Sequence, residues 1–173
     1  IIRMDYTWIP LFVERNLLYS LNDFPEFTEV TSGLQEHMVE MNTYDGQTFG
    51  LPLNITTKAA IYNTKLLEKA GLSQPPATFS ELVELAKQHG YILGMSGIGL
   101  WNSLPYFMAL GGTITDDAFT RATGYFDSSE SVAAMKQLLE LHQQGVINPY
   151  LLKGSIDLWK EVYSQGKVIM IDD

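Results

Sequence analysis

DGQTFGLPLNITTKAAIYNTKLLEKAGL, residues 45–72, is the stretch that decides the fold class. Asp45-Gly46 is a turn signal, and the segment from Thr48 to Tyr62 is rich in β-formers with Pro52 interrupting it, which reads as a short strand, a crossing segment and another strand. Asn63 then offers a side-chain cap to a short helix through Leu66, Leu67 and Ala70, and Gly71 ends that helix in the left-handed conformation glycine tolerates best. Strand, crossing, strand and helix in close succession imply an α/β chain that changes from one body to another near this point.

Downstream, PPATFSELVELAK (residues 75–87) carries a capping box, in which Thr78 and Glu81 each satisfy an orphan backbone donor and open a helix over Phe79, Leu82, Val83 and Ala86 that Gly90 closes. Tyr91 to Leu100 alternates apolar and small residues as a strand does, and Trp101 to Leu110 is helical with Pro105 near its first turn, broken by Gly111-Gly112. Ser128 caps a long helix with Val132, Met135, Leu138, Leu139 and His142 along its expected buried side. Ser155 begins another, with Ile156, Trp159 and Val162 on an apolar stripe, and Lys167 to Ile171 is a returning strand.

Upstream, Ile1 to Asp5 reads as the inside of a strand, Trp8, Phe12 and Arg15 follow helical spacing, and Phe27, Val30, Leu34, Met38 and Met41 fall on one helical face. The opening residues lack a basic leader and a cleavage signal, and the closing ones stop on an apolar strand, so the chain reads as an excised fragment.

Composition narrows the function. The 173 residues are 46% hydrophobic, enough for a core, and eleven Lys and Arg against twenty Asp and Glu give a net charge of −9. That charge opposes nucleic acid and anionic lipid alike. No apolar run approaches the roughly 20 residues a membrane span requires. With no cysteine, disulfides, thiolate metal sites and thiol catalysis are all excluded. His37, His89 and His142 sit in separate helices without metal-ligand spacing, and GMSGIG (residues 94–99) is not the G-x-G-x-x-G phosphate cradle. No cofactor or metal is expected.

Taken in order, residues 45–72, PPATFSELVELAK, GIGLWNSLPYFMALGG (97–112), SSESVAAMKQLLELHQQGVINP (128–149) and SQGKVIMIDD (164–173) resemble the bacterial extracellular solute-binding proteins of the maltose-binding class. RMDYTWIPLFVERNLL (3–18) is a looser match to the family's early strand and helix. The resemblance implies the two-lobe periplasmic-binding-protein-like (class II) fold, here incomplete and mostly lobe two. Residues 1–53 then form partial lobe one, 54–62 a hinge crossing, 63–166 lobe two, and 167–173 a strand returning toward the hinge. It also implies reversible carbohydrate binding in an interlobe cleft, delivery to the permease subunits of an ABC importer, and an extracytoplasmic location. A membrane link would come only through a lipid anchor outside these residues, and the isolated fragment is expected to dimerise through faces the cut exposes.

A sugar offers hydroxyls at its rim and C–H patches on its ring faces, so its site needs aromatic planes and a few polar groups. Within the resemblance, the candidates are Asp5 and Trp8 at the first strand-to-helix turn and Asn54 and Thr56 on the crossing, where period-two alternation sets them opposite Leu53 and Ile55. Trp101, Asn102 and Tyr106, opening the helix similar to the family's lobe-two ligand face, complete the set. Each has a plainer reading too: Trp8, Trp101 and Tyr106 as packing residues, Asn54 and Thr56 as a satisfied strand edge. Asp172 and Asp173 point to opposite faces of a strand end, and one of them reaches toward the cleft. Two rival functions stay open: a glycoside hydrolase, which needs two carboxyls flanking one bond, and a protein-interaction module.

Overall fold

The computed structural model describes residues 1–148, 160 and 166–172. The expected helix from Ser155 with Ile156, Trp159 and Val162, and the side chain of Asp173, lie outside the described residues. The chain divides into two compact units, Ile1–Thr57 and Lys58–Asp173.

The first unit is built from short pieces. A 3-10 turn at Tyr6–Trp8 leads into helix α1 (Ile9–Glu14), a second 3-10 turn at Leu21–Asp23 precedes helices α2 (Phe27–Thr31) and α3 (Glu36–Glu40), and a hairpin joins β1 (Thr43–Tyr44) to β2 (Gln47–Thr48). Asp45 and Gly46 both take positive φ, 50° and 73°, the geometry that lets a two-residue turn match strand twist. Asn22 accepts a 2.7 Å hydrogen bond from the Thr48 backbone, tying the second 3-10 turn to the hairpin.

Two expectations for this unit fail. Ile1 to Asp5 forms no strand, because among the described residues no neighbouring strand pairs with it. The single helical face over Phe27 to Met41 is two helices, since the chain breaks at Ser32–Gln35, where the Thr31 and Ser32 hydroxyls bond back to the carbonyls of Phe27 and Glu29 and compete with helix continuation. Val30 and Met41 are consequently exposed.

The second unit holds the core. Strand β3 (Ala60–Tyr62) is followed by α4 (Thr64–Lys69), α5 (Phe79–His89), β4 (Ile92–Gly94), α6 (Leu100–Ala109), α7 (Ser129–Gln143) and β5 (Val168–Asp172). The sheet order is β3-β5-β4, with β3 antiparallel and β4 parallel to β5. Every residue of β5 is buried, as befits a central strand covered on both faces. Ile169 and Met170 join Leu66, Leu82, Ala86, Leu93, Leu138 and Ile147 in the main apolar cluster, while Val168, Ile171 and Ile92 make a smaller one.

Caps fall where the sequence places them. Asn63 accepts from the Leu66 amide, Ser128 from Ser131, and the Thr78–Glu81 box closes in both directions. Gly90 ends α5 at φ 65°. The strand expected over Tyr91 to Leu100 shortens to β4, because from Met95 onward its ladder partner is a side chain: the wholly buried Asn148 accepts from Met95 N at 2.9 Å and donates to Met95 O at 3.2 Å. This mimicry of a backbone partner ends the strand and frees the chain to start α6.

Helix α7 turns a different face inward than its apolar stripe suggests. Ser131, Ala134, Leu138 and Leu141 are buried, whereas Val132, Met135 and Leu139 are exposed and His142 is half-buried with no partner for Nδ1. Small Ser131 and Ala134 let α7 come close to its neighbours, and the Ser131 hydroxyl, 2.8 Å from Tyr125 O and 3.0 Å from Thr113 O, anchors that face to the preceding loop. Leu138 is 8% exposed and its neighbour Leu139 53%. Leu138→Ala should therefore cost about 2–5 kcal/mol and Leu139→Ala within about 0.5 kcal/mol, measured by chemical denaturation; equal losses would contradict the burial of the face.

Candidate functional site

The sheet of the second unit ends in a pocket of about 260 Å³. Lys58, Tyr62, Thr78, Phe79, Tyr106 and Asp172 are its chemically distinctive lining residues, set among alanine, proline, leucine and methionine side chains. Each wall is held by local structure. Met170 and Asp172, two apart on β5, present to the same side as strand alternation requires. The Ala77–Phe79 wall is fixed by Glu81, whose carboxylate accepts from the amides of Ala77 and Thr78 at 3.0 and 3.1 Å.

Asp172 is the hub. Its Oδ2 pairs with the Lys58 ammonium at 2.5 Å, its Oδ1 accepts from the Tyr106 hydroxyl at 2.8 Å, and the ion-paired side chains are only 7% and 13% exposed for Asp172 and Lys58 respectively. A carboxylate withdrawn this far from water needs such partners on both oxygens. Tyr106 is buried, packs edge-on against Phe79 at 5.8 Å and 79°, and is held far above the ordinary phenol value of 10.0, first by burial and then by the Asp172 charge and hydrogen bond. Burial also raises Tyr62.

The seven residues expected at a binding site distribute as follows. Tyr106 lines the pocket. Trp101, on the same helix but five residues earlier and so about 140° around it, is outside the pocket lining and 59% exposed. Asn102 accepts from the Ser96 hydroxyl at 2.9 Å and holds the loop before α6; a Cβ on Gly97 would stand 2.9 Å from Asn102 Nδ2, so the amide would have to shift to admit one. Pro105 is the sixth residue of α6 rather than part of its first turn, and its missing N–H withholds the bond that the Trp101 carbonyl would accept within the helix.

In the first unit, Asp5 caps the opening 3-10 turn, accepting from the Thr7 hydroxyl at 2.7 Å and amide at 3.0 Å, and these bonds lower its carboxyl below the usual range. Trp8 is 55% exposed and touches Phe12. Asn54 and Thr56 are exposed in a segment without strand structure, and so are Leu53 and Ile55, so alternation does not sort polar from apolar there.

Sequence reasoning passed over Lys58, Tyr62 and Phe79. A signal for Lys58 was present: it is the one charge between Thr48 and Tyr62, and a lone cation in an apolar crossing calls for a buried carboxylate. Its partner is remote in sequence, 114 residues away, which periodicity cannot reveal. Among the described residues no group of three His, Cys, Asp or Glu is placed to hold a metal ion, and no helix is long and apolar enough to cross a membrane.

Residues 1–172 match the family described as bacterial extracellular solute-binding protein. The chain belongs to that family. A binding protein of Brucella abortus is 24% identical over 170 residues, 95% of this chain and 41% of the relative. The maltotriose-binding protein of Pyrococcus abyssi is 30% identical over 145 residues, 78% of this chain and 29% of the relative. The GacH receptor of Streptomyces glaucescens, solved without ligand and with acarbose, superposes with TM-score 0.71 at 24% identity over 97% of this chain and 43% of that one. The chain thus spans less than half of the relatives it matches, and it is an α/β portion of the two-lobe periplasmic-binding-protein fold.

The raised Tyr106 phenol makes a pH prediction. The folded chain keeps a proton that the unfolded chain releases above about pH 10, so the associated stability is complete below that pH and is lost progressively above it. Tyr106→Phe removes the titration and should make the fall in unfolding free energy between about pH 8 and pH 11 shallower; an unaltered slope in denaturation experiments would contradict the placement.

Proposed function

We propose that the chain is part of the sugar-capturing component of an ABC importer and binds carbohydrate reversibly without transforming it. The observation that carries this reading is the composition of the pocket: phenol and phenyl rings of Tyr62, Phe79 and Tyr106 beside the Lys58–Asp172 ion pair and Thr78, in a wall otherwise of alanine, proline, leucine and methionine. Aromatic planes suit sugar C–H faces, and the remaining lone pairs of Asp172 and the tyrosine oxygens suit hydroxyls. The names of relatives point the same way: one is a maltotriose-binding protein, another was solved with acarbose.

A glycoside hydrolase fits less well. It requires an acid and a second carboxyl about 5 to 9.5 Å apart across the scissile bond, whereas among the described lining residues Asp172 is the single carboxylate, and both its oxygens are already engaged. A pure interaction module gives no role to the three rings that line the pocket.

In the complete two-lobe protein, Asp5 and Trp8 from lobe one, Asn54 and Thr56 on the crossing, and Trp101, Asn102 and Tyr106 from lobe two contribute to ligand binding. Residues 54–62 act as one hinge crossing, and ligand favours the closed form because it has more contacts there than in the open one. Loaded protein is delivered to membrane permease subunits from the extracytoplasmic side.

Tryptophan fluorescence of the full-length protein titrated with neutral mono- and oligosaccharides tests the reading. A saturable change without turnover is expected, and Trp101→Ala should weaken binding by about 2 kcal/mol or more, roughly 30-fold, with the fold intact. Sugar turnover, or no response to any sugar, would overturn it. The isolated chain, with Val132, Met135 and Leu139 exposed on α7, should self-associate, and light scattering showing a monodisperse monomer would contradict that.

A further inference from the structure

Four consecutive residues, Pro76 to Phe79, line the pocket, and the side chain that holds them, Glu81, is not itself among the lining residues. Most of the other lining residues stand on β3, β5, α5 and α6, where ladder or helix hydrogen bonds fix the backbone. Pro76, Ala77 and Thr78 precede α5 and belong to no strand or helix. Ala77 and Thr78 are exposed besides, so packing does little to fix them.

Hydrogen bonds to the first turn of α5 hold this rim instead. Glu81 Oε2 accepts from the Ala77 amide at 3.0 Å and from the Thr78 amide at 3.1 Å. In return Thr78 Oγ1 accepts from the Glu81 amide at 3.2 Å, and the Thr78 carbonyl accepts from the Leu82 amide at 3.1 Å. Among the described residues, these are the hydrogen bonds of Pro76–Thr78. A capping box needs the carboxylate on the N-cap amide alone, here that of Thr78. The bond to Ala77 reaches one residue farther, into the rim, where helix formation does not call for it. Phe79 follows directly and sets its ring edge-on against Tyr106 at 5.8 Å, so the same clamp bears on two aromatic walls of the pocket.

We propose that Glu81 is a positioning residue for the ligand: without touching it, the carboxylate keeps the Pro76–Phe79 rim in its binding shape. The inference rests on the carbohydrate reading of this pocket and adds to it a residue outside the contact surface. A rim already ordered has little conformational freedom left to lose when a ligand arrives, whereas a loosened rim must be ordered at the expense of affinity. Having to order one freed residue again weakens binding about tenfold.

The experiment measures affinity by calorimetry in the full-length protein, with neutral glucose-, galactose- and mannose-based mono- to trisaccharides, and follows exchange of the Ala77 and Thr78 amides. Glu81→Ala should weaken the tightest-binding sugar about tenfold and speed exchange of both amides. Glu81→Gln, whose carbonyl oxygen can accept the same two bonds, should bind within about threefold of wild type. Glu84→Gly controls for stability: Glu84 is exposed on the same helix, and glycine in an exposed helix interior costs about as much stability as a lost cap. Its affinity should equal that of wild type. If circular dichroism shows Glu81→Ala to be unfolded, Glu81→Asp, which draws the carboxylate back by one methylene, must show the weakening in its place. Wild-type affinity or unchanged amide exchange in the variant lacking the clamp overturns the role of Glu81 alone, as does an equal loss in Glu84→Gly or a failure of Glu81→Gln to restore binding. A wild type that binds none of these sugars overturns the carbohydrate reading and this inference with it.

Discussion

A carboxylate taken out of water must be given back what water supplied, and the second unit is arranged around meeting that demand at Asp172. The residue ends the central strand β5, where sheet neighbours lie on either side, and it is buried with the rest of the strand. Its two oxygens draw in one partner from the start of the unit, Lys58, and one from α6, Tyr106. Breaking such a pair by removing one member typically costs about 3–5 kcal/mol, because the other charge stays behind unpaired. The interaction thus fixes where β3 begins and where α6 sits, and those positions give the pocket its walls.

The other walls follow from ordinary local chemistry. The Thr78–Glu81 box satisfies the amides that open α5 and in doing so holds Ala77–Phe79 at the pocket rim. Asn148 ends β4 by replacing a strand partner at Met95, which turns the chain toward α6 and its Pro105 and Tyr106. Helix α6 in turn separates its aromatics: Tyr106 faces the sheet, and Trp101 remains exposed for contact with whatever approaches that surface.

Much of this was legible in the residues. Caps at Asn63, Thr78 and Ser128, the Asp45-Gly46 turn and the returning strand are local signals, and local hydrogen bonding decides them. The family was legible because several segments occur in register. What the residues did not disclose were outcomes decided at a distance. The inward face of α7 was misread because Ser131 and Ala134, small rather than apolar, are what let the helix approach, while Val132, Met135 and Leu139 supply an apolar stripe that stays outside. The single helix over Phe27 to Met41 failed because hydroxyls at Thr31 and Ser32 compete with helix continuation, an effect periodicity does not count. Tyr106, singled out through the resemblance, lines the pocket, whereas Lys58 was passed over, since its partner Asp172 stands at the far end of the chain.

The most direct test of the account is amide and methyl chemical-shift mapping of the full-length protein as the sugar giving the largest tryptophan response is added. The account predicts saturable shifts centred on Lys58, Tyr62, Ala77–Phe79, Tyr106 and Asp172, with Val132, Met135 and Leu139 undisturbed. Shifts concentrated on that α7 stripe, with the Asp172 surroundings unmoved, would contradict it.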